Sequence, residues 1–437
     1  MNPLAKDLND QIAAVNPHVL EMLSDFGAGL YFPKGILSQS AEAKTKATLY
    51  NATIGTALES GTAMNLPSVM APLAGVPPNE ALLYAPAGGV PELRQAWQAK
   101  TLTDNPDLAG APVSLPIVTS GLTHGLSLLG DLFIDEGDVL LLPDKLWGNY
   151  RLIFGLRRGA DIRTFPFFAE GGFNQEAFAA ALQELAASGV KKVVVLLNFP
   201  NNPTGYAPTE AEGEAMAASL LAAADQGINV VAITDDAYFG LFYGEEPMRQ
   251  SLFTKLAGKH PRLLAVKADA ATKEVFVWGL RVGFLAYSVG GADSDSPLYQ
   301  ALISKTMGCI RSMISNCCRL SQTLVLGSVT SETFFAERAA KIALMESRAL
   351  EAKRVLANAA FDEAWDAYPF NSGYFMCLRL KKIDAESLRV HLLDAYGIGT
   401  IAIGDTDLRV AFSCLEVEQI QDVYEKIHQA WCDLAKA

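Results

Sequence analysis

Seven short apolar segments, separated by helix-like stretches, occupy the middle of the sequence from about residue 115 to residue 290. Each segment is five to seven residues long, which is typical of a strand that is buried on both faces. Stretches rich in alanine and glutamate, such as 174–189 and 209–227, lie between several of them. The predicted strands are 115–120, 139–143, 161–167, 193–198, 230–235, 263–268 and 282–288. This alternation predicts an α/β fold with a mainly parallel sheet and helices on its faces.

The sequence changes character after this region. Helix patterns dominate from about 297 to 359, and the tail then shows strand-like segments at 368–380 and 398–413 around a helix at 384–397. A chain of 437 residues is also long for one domain. We therefore predict a second, smaller α+β unit. The expected division is 1–55 as an N-terminal arm and part of the small domain, 56–330 as the large domain and 331–437 as the small C-terminal domain.

Charge and composition exclude several classes of function. The formal charge of −13 argues against nucleic acid as a partner, because phosphate binding requires clustered lysine and arginine. No stretch reaches the roughly 18 apolar residues of a membrane span, and the N-terminus lacks the features of a signal peptide. Six cysteines without a CxxC pair indicate reduced thiols in a cytoplasmic protein. The five histidines show no metal-binding spacing, so no metal is expected.

Residues 198–206, NFPNNPTGY, follow directly after the apolar run 193–197. They contain more asparagine and proline than a simple turn requires. In a parallel sheet, ligands bind beyond the carboxyl ends of the strands. The segment is therefore predicted to line a binding site, with Asn202 as the side-chain amide that faces a ligand.

Two further strand ends carry residues with two interpretations each. In TSGLTHGL (119–126), Gly121 and Thr123 at the start of a helix would favour a phosphate, but a plain strand-to-helix turn explains them equally well. Trp147 follows the next strand, where it is either a buried core residue or an aromatic surface for a ligand. These ends add a potential anion site and a potential stacking surface.

The remaining strand ends supply ionisable groups. Asp235, Asp236 and Tyr238 end one strand, and a buried carboxylate there needs a cation or a strong donor, unless it caps a helix. Lys273 follows another strand, with Arg281 eight residues later. A lysine in this position is normally solvated, but burial would lower its pKa and make it a nucleophile towards aldehydes. An amine, a carboxylate, an aromatic ring, an amide and a phosphate site together match pyridoxal 5′-phosphate.

With these motifs in this order, the sequence resembles the class I/II pyridoxal-phosphate-dependent aminotransferases of fold type I, most closely the aspartate aminotransferase branch. The family motif NPTG stands at 202–205, Asp-x-Ala-Tyr at 235–238, and Lys273 is followed by Arg281 and Gly283. Further similar segments are YNATIGTAL (50–58), YAPAGGVPELRQAW (84–97) and LRVAFS (408–413), so the resemblance covers roughly residues 50–415. It implies a large domain with a mainly parallel seven-stranded sheet plus a smaller α+β domain.

The resemblance also implies a role for each matching residue. Lys273 would bind the cofactor covalently through an imine and then move a proton, with Asp235 on the ring nitrogen and Tyr238 on the ring oxygen. The remaining cofactor-binding residues would be Gly121, Leu122, Thr123, Trp147, Asn202, Arg281 and, from the neighbouring subunit, Tyr84. The substrate-binding residues would be Gly55, Asn202, Arg409, Arg311 and Ser315.

Two positions depart from the family pattern. The family usually has serine or glycine three residues before the lysine, and this sequence has Ala270. One phosphate hydrogen bond is then missing or comes from another residue such as Thr272. Glu274, directly after the lysine, is also unusual, and the sequence alone suggests no role for it.

IRSMISN (310–316) resembles the segment with which the aspartate branch binds the distal carboxylate of a substrate in the neighbouring subunit. Arg311 and Ser315 match its spacing, although a surface or subunit ion pair explains Arg311 equally well. The resemblance therefore implies a homodimeric aminotransferase that acts on aspartate, glutamate or aromatic amino acids by a ping-pong mechanism. A carbon–sulfur β-lyase on the same fold is the alternative. A transcription regulator is less favoured, because the roughly 50 residues before the first motif are short and not basic.

Overall fold

The computed structural model describes residues 2–3, 6–7, 9–10, 36–53 and 55–435. Much of the predicted N-terminal arm, including 11–35, lies outside the described residues.

A seven-stranded sheet forms the centre of the molecule. Its strands are β1 (Ile117–Thr119), β2 (Val139–Pro143), β3 (Asp161–Phe165), β4 (Lys192–Asn198), β5 (Asn229–Asp235), β6 (Leu263–Ala270) and β7 (Gly283–Val289). They lie in the order β1-β7-β6-β5-β4-β2-β3, and only β7 is antiparallel to its neighbours. All seven predicted strands are confirmed. The carboxyl ends of the six parallel strands therefore lie at one edge of the sheet.

Helices cover both faces of this sheet, and further helices belong to the C-terminal part. The longer helices of the described residues are α1 (Ile36–Lys46), α2 (Pro91–Asp104), α3 (Leu122–Phe133), α4 (Gln175–Ala187), α5 (Glu210–Asp225), α6 (Pro297–Met313), α7 (Arg319–Val329), α8 (Phe334–Leu356), α9 (Ala385–Tyr396) and α10 (Val417–Ala435). The ends of α4 and α5 lie within two residues of their predicted positions. Asn174 caps α4, and Thr209 forms a capping box with Glu212 at the start of α5, which explains where both begin.

The core lies on both sides of the sheet, as β4 illustrates. Val193, Val195 and Leu197 pack in the cluster that includes residues of α4 and α5, whereas Val194 and Leu196 pack in the cluster that includes residues of α3. Successive side chains of a strand point to opposite faces, so an unbroken apolar run is required here. Polar side chains accordingly concentrate at the strand ends.

The C-terminal part contains a four-stranded antiparallel sheet of β8 (Trp365–Ala367), β9 (Met376–Leu380), β10 (Ile401–Ile403) and β11 (Asp407–Val410). Its order is β8-β9-β11-β10. Helix α9 packs against β10 and β11 of this sheet, and α10 packs against α8 and α9, which gives the expected α+β arrangement. Before it, Tyr50–Asn51 pairs in parallel with Ile398–Gly399. This pairing joins the described end of the N-terminal segment to the C-terminal part, while the exact domain boundaries stay a prediction.

The prediction of a strand over 368–380 is wrong for its first half. Only β9 is a ladder strand, because the preceding residues bind the NPTG segment instead. The backbone N–H groups of Asn371 and Ser372 both donate to the carbonyl of Gly205, at 2.9 Å each, and the Asn371 side chain accepts from the N–H of Ala207 at 2.8 Å. The segment thus fixes the turn that carries Asn202.

Within the described part of the chain, no helix combines the length and the apolar character needed to cross a bilayer. The same residues contain no cluster of three or more histidine, cysteine, aspartate or glutamate side chains suited to a metal ion.

Candidate active site

A cavity of about 400 Å³ opens at the carboxyl edge of the large sheet. Ten of the predicted site residues line it: Gly55, Leu122, Thr123, Trp147, Asn202, Asp235, Tyr238, Lys273, Arg281 and Arg409. Arg409 comes from β11 of the small sheet, and Gly55 comes from the segment before the large domain. The cavity therefore lies where the two predicted domains meet, and the fold brings together residues from distant parts of the sequence.

One end of the cavity is suited to an anion. Gly121 precedes α3 with φ of +76°, and a Cβ atom there would lie 2.4 Å from Nη2 of Arg281. Glycine is therefore required, because it permits both the left-handed backbone and the close approach of the guanidinium. Helix α3 begins at Leu122 without a side-chain cap. Its first N–H groups, the positive end of its dipole and the charge of Arg281 all favour a bound phosphate.

A buried carboxylate lies at the base of the cavity. Asp235 is 2% exposed and accepts hydrogen bonds from the hydroxyl of Tyr150 at 2.6 Å, the amide of Asn198 at 3.1 Å and the N–H of Ala237 at 3.1 Å. Burial raises the pKa of Asp235 to about 7, against the effect of these donors. No lysine or arginine of the described residues forms an ion pair with it. The site is thus built for a carboxylate whose cation must come from a ligand.

Lys273 places its amine in the same cavity. Nζ donates to the carbonyl of Gly55 at 2.8 Å and lies 5.2 Å from the ring centre of Tyr238. Burial, reinforced by the positive charges of Arg409 and Arg281, lowers the pKa of Lys273 to about 7. A neutral, nucleophilic amine is therefore well populated near neutral pH. A Cβ atom on Gly55 would lie 3.1 Å from the ring of Phe375 and 3.2 Å from Nζ, so the glycine leaves room for both side chains.

The NPTG turn positions Asn202 beside these groups. The N–H of Asn202 donates to Oδ1 of Asn198 at 2.8 Å, which ties the turn to the end of β4. Gly205 has φ of +75°, and a Cβ atom there would lie 1.9 Å from the carbonyl oxygen of Phe375. A side chain at this position would therefore displace the turn or the segment before β9.

Arg409 is 1% exposed and is held rigidly. Nη1 donates to Oδ1 of Asn202 at 2.9 Å, Nη2 donates to the carbonyl of Thr53 at 2.9 Å, and the guanidinium lies 4.0 Å from the ring centre of Phe375. Each terminal nitrogen carries a second N–H beyond these bonds. A carboxylate in the cavity can accept both in the planar fork geometry that arginine provides.

Trp147 lies in the cavity wall and is only partly buried. Its ring stands edge-on to Tyr150, with 5.5 Å between the ring centres and 87° between the planes. The structure therefore places this tryptophan at the cavity rather than in the fully buried core.

Gly121 lies directly before Leu122 rather than in the cavity lining, and three further predicted residues do not reach the cavity of their own chain. Tyr84 is 90% exposed, and Arg311 is exposed and donates from Nη1 to the hydroxyl of Ser315. None of the three lines the cavity. The structure brings Arg311 and Ser315 together, but away from Lys273.

Sequence reasoning missed six residues that line the cavity: Thr56, Tyr150, Asn198, Ala237, Trp278 and Phe375. Tyr150 lies three residues after Trp147, and Asn198 is the last residue of a predicted strand. Their positions near strand ends would have allowed both to be predicted as site residues. Phe375 lies in the segment 368–380, which the sequence predicts to be a strand, so its position at the cavity is not predicted. Ala270 and Thr272 also line the cavity, and the side chain at 270 carries no hydroxyl.

The family model described as aminotransferase class I and II matches residues 65–427, which is most of the chain. The chain belongs to the class I and II aminotransferase family. A probable aspartate/prephenate aminotransferase of Aquifex aeolicus is 29% identical over 203 residues, which cover 46% of this chain and 48% of that protein. The chain thus matches about half the length of its curated relatives.

Solved structures confirm the fold over a larger part of the chain. An aminotransferase of Anaerococcus prevotii is 23% identical, with a TM-score of 0.80 over 94% of this chain and 99% of that one. A mutant aspartate aminotransferase of Thermus thermophilus is 20% identical, with a TM-score of 0.72 over 93% of this chain and 99% of that one. The predicted fold, fold type I with a large α/β domain, is therefore confirmed.

Proposed function

We propose that the protein is an aminotransferase that moves an amino group between an amino acid and a 2-oxo acid in a ping-pong reaction. One observation carries this proposal: the low-pKa amine of Lys273, the buried carboxylate of Asp235 and the buried guanidinium of Arg409 meet in one cavity. A panel of amino donors with 2-oxoglutarate, pyruvate and oxaloacetate as acceptors, read by coupled assay, tests it. No transfer to any acceptor would contradict the proposal.

Pyridoxal 5′-phosphate is the cofactor of this family, and it supplies an aldehyde that binds amines and a ring that accepts the electrons of the bond being broken. The cavity fits this group. Asp235 is a buried carboxylate that lacks a cationic partner among the described residues, and a protonated ring nitrogen would provide one. Arg281, with the uncapped start of α3 at Leu122, would hold the phosphate.

The remaining walls match the rest of the cofactor. Asn202 and Tyr238 would donate hydrogen bonds to the ring oxygen, and Trp147 would stack against the ring. Thr272 lines the same cavity as Arg281 and offers a hydroxyl in place of the one that Ala270 lacks. These assignments are proposals that follow from the residue types and their common location.

Arg409 would orient the substrate. Its two remaining N–H groups bind the α-carboxylate as a fork, while Asn202 and the carbonyl of Thr53 keep the guanidinium fixed. A fixed α-carboxylate limits the rotation of the bound substrate, and the orientation that it imposes would favour loss of the Cα proton over loss of the carboxylate. The Nζ atom of Lys273 would take this proton from Cα and release it again, because its low pKa allows it to do both near neutral pH.

We further propose that the preferred amino acids are dicarboxylic, with aspartate or glutamate first and aromatic amino acids as additional substrates. Two of the similar proteins named above are an aspartate aminotransferase and a probable aspartate/prephenate aminotransferase. The pair Arg311 and Ser315 offers a second carboxylate site, provided that it reaches the cavity of another subunit. In a single chain it does not line the cavity.

This requirement makes a homodimer part of the proposal. Leu82, Leu83 and Tyr84 are 81%, 59% and 90% exposed, which is unusual for three consecutive large apolar side chains. Met313 and Ile314, between Arg311 and Ser315, are also exposed. A second copy of the chain would cover these surfaces and bring Tyr84 and Arg311 to its cavity. Sedimentation tests this, and a fully active monomer would refute it.

Arg311→Ala tests the substrate proposal. Loss of a buried charge partner costs on the order of 2–5 kcal/mol, so kcat/KM for aspartate should fall by that amount while alanine is barely affected. Lys305→Ala on the same helix provides a control for loss of positive charge from α6. An unchanged ratio of aspartate to alanine turnover would reject the role of Arg311.

The β-lyase alternative uses the same lysine, aspartate and arginine, so the cavity does not separate the two reactions. The similar proteins named above are aminotransferases, which favours transamination. An amino donor offered without an oxo acid distinguishes the two. A transaminase stops after one turnover with its cofactor in the amino form, whereas a lyase continues and releases ammonia and pyruvate.

A further inference from the structure

Four charged side chains form a closed arrangement beside Lys273 and outside the cavity, and we call them the charge square: Lys100, Asp104, Glu274 and Arg338. Lys100 lies 2.8 Å from Oδ2 of Asp104 and 2.8 Å from Oε2 of Glu274. Arg338 lies 2.7 Å from Oδ1 of Asp104 and 3.3 Å from Oε2 of Glu274. Each cation therefore contacts both acids.

The charge square is buried. The side chains of Glu274 and Lys100 are 1% and 3% exposed, and those of Asp104 and Arg338 are 10% and 12% exposed. Charges at such depth are tolerated only when they are paired, and the removal of one partner is strongly unfavourable. The square joins three elements: α2 carries Lys100 and Asp104, α8 carries Arg338, and the short helix Ala271–Glu274 carries Glu274.

This short helix needs support from outside. It has a single turn and no side-chain cap, and a helix of this length has little stability of its own. Two non-glycine residues after it, Phe276 and Arg281, have positive φ values of 56° and 54°. Such conformations persist only where the surroundings enforce them. The position of Lys273 is therefore determined by contacts with other elements.

Side-chain contacts with other elements hold the helix at two points. The hydroxyl of Tyr374 donates to the carbonyl of Lys273 at 3.1 Å. The carboxylate of Glu274 is held by Lys100 and Arg338. Consecutive residues on a helix do not share a face, so Glu274 enters the charge square while Lys273 points to the cavity.

We propose that Glu274 is a positioning residue for Lys273: its carboxylate, held by Lys100 and Arg338, fixes the one-turn helix so that the amine of Lys273 stays buried in the cavity. The inference rests on the role proposed above for that amine. It gives a function to a residue for which the sequence alone suggested none.

The test compares Glu274→Gln with Asp104→Asn. Both variants remove one acid from the same two cations, so a purely structural role predicts a change of stability in each and no difference between them at Lys273. Of the two acids, only Glu274 is adjacent to Lys273 in the sequence and lies on the same short helix. Positioning predicts that Glu274→Gln alone changes the reactivity of the lysine.

The main measurement is the labelling of Lys273 by acetic anhydride in cofactor-free protein, as a function of pH, followed by peptide mass spectrometry. In the natural chain, labelling should be half-maximal near pH 7. In Glu274→Gln the midpoint should rise by about one pH unit, because a displaced amine is better solvated. Asp104→Asn should keep the natural midpoint. In the loaded enzyme, kcat of Glu274→Gln should fall about 10- to 100-fold, with KM for the amino donor nearly unchanged because Arg409 is untouched.

Two further variants distinguish an effect on the position of Lys273 from an effect on the thermal stability of the protein. Lys100→Met combined with Glu274→Gln removes one charge of each sign and leaves Arg338 paired with Asp104. It should recover thermal stability relative to Glu274→Gln while the labelling midpoint stays raised. Glu274→Asp keeps the charge but shortens the side chain, and it should give a smaller rise of the midpoint even if Glu274→Gln does not fold.

The inference is overturned if Glu274→Gln and Glu274→Asp label like the natural chain, or if Asp104→Asn shifts the midpoint equally. Failure of the proposed function gives a different result. In that case the natural chain transfers no amino group, while the labelling comparison between variants can still be made.

Discussion

Asp235 and Asp236 are consecutive residues at the end of one strand, yet they lie in opposite electrostatic environments. Asp235 faces the cavity and is held by neutral donors only: a phenol, a side-chain amide and a backbone N–H. Asp236 points away from it and lies 2.7 Å from Nζ of Lys267, with a further bond of 2.6 Å from the hydroxyl of Ser251. Both carboxylates are buried, but only Asp236 is neutralised by the protein.

Lys273 and Glu274 show the same contrast at the neighbouring strand end. The amine of Lys273 donates to a single carbonyl oxygen, whereas the carboxylate of Glu274 lies between two cations. In each pair the first residue faces the cavity and forms no ion pair with the described residues, whereas the second forms ion pairs with lysine or arginine of the protein. An unpaired buried charge is costly, so the two cavity-facing groups are the ones for which we propose a ligand as the partner.

Among variants of the cavity-facing residues, replacement of Lys273 should have the largest effect on turnover. Lys273→Ala removes the group that we propose to bind the cofactor covalently and to move the proton, so turnover should fall by at least about 10⁴-fold. Steady-state assay with excess cofactor measures it. Lys267→Ala is not a suitable control, because it leaves Asp236 buried without its cation; Lys191→Ala, at an exposed lysine, should leave turnover unchanged.

Asp235→Asn should have the next largest effect on turnover. The amide preserves the shape but not the charge that a protonated ring nitrogen requires, and loss of one such electrostatic contact typically costs about 10²- to 10³-fold in kcat. Pre-steady-state absorption of the first half-reaction measures this. A variant with natural kcat would show that the cavity-facing carboxylate has no role in the reaction.

Tyr150→Phe should have an intermediate effect. It removes the 2.6 Å hydrogen bond to Oδ2 of Asp235 and leaves the carboxylate in place. A hydrogen bond to a charged group contributes about 1.5–3 kcal/mol, so cofactor affinity should fall roughly 10- to 100-fold. The pKa of Asp235 should also rise further, because this bond lowers it. Fluorescence titration of the cofactor-free protein measures the affinity, and no change would contradict the proposed contact.

Asp236→Asn should have the smallest effect on turnover and a large effect on stability. It leaves Lys267 with Asp269 alone, at 2.8 Å, and removal of one member of a buried ion pair costs about 3–5 kcal/mol. Thermal unfolding should therefore occur at lower temperature, while kcat of the folded enzyme stays close to that of the natural chain. A loss of kcat as large as that expected for Asp235→Asn would show that the carboxylate facing the cavity and the carboxylate facing the protein do not differ in their effect on the reaction.

The sequence predicted the parts of the molecule that depend on local patterns. The seven strands of the sheet were visible because strands buried on both faces are continuous apolar runs. The residues at their ends then converge in one cavity because parallel strands share their carboxyl edge. The amino-acid pattern alone therefore predicted that Lys273, Asp235 and Asn202 lie together.

The parts that depend on distant contacts could not be predicted in this way. The segment before β9 carries strand-forming residues, but its backbone binds Gly205, which lies more than 160 positions earlier in the sequence. The charge square joins Glu274 to Lys100 and Arg338, and no periodicity relates these three residues. The hydrogen bond of Tyr150 to Asp235 likewise spans 85 positions.

Reduction of the holoenzyme with borohydride, followed by digestion and peptide mapping, shows which amine of the protein binds the cofactor. We expect the cofactor as a stable adduct on the ε-amine of Lys273, on the peptide that also contains Glu274. An adduct on another lysine, or no adduct in protein that has been saturated with the cofactor, would contradict this expectation.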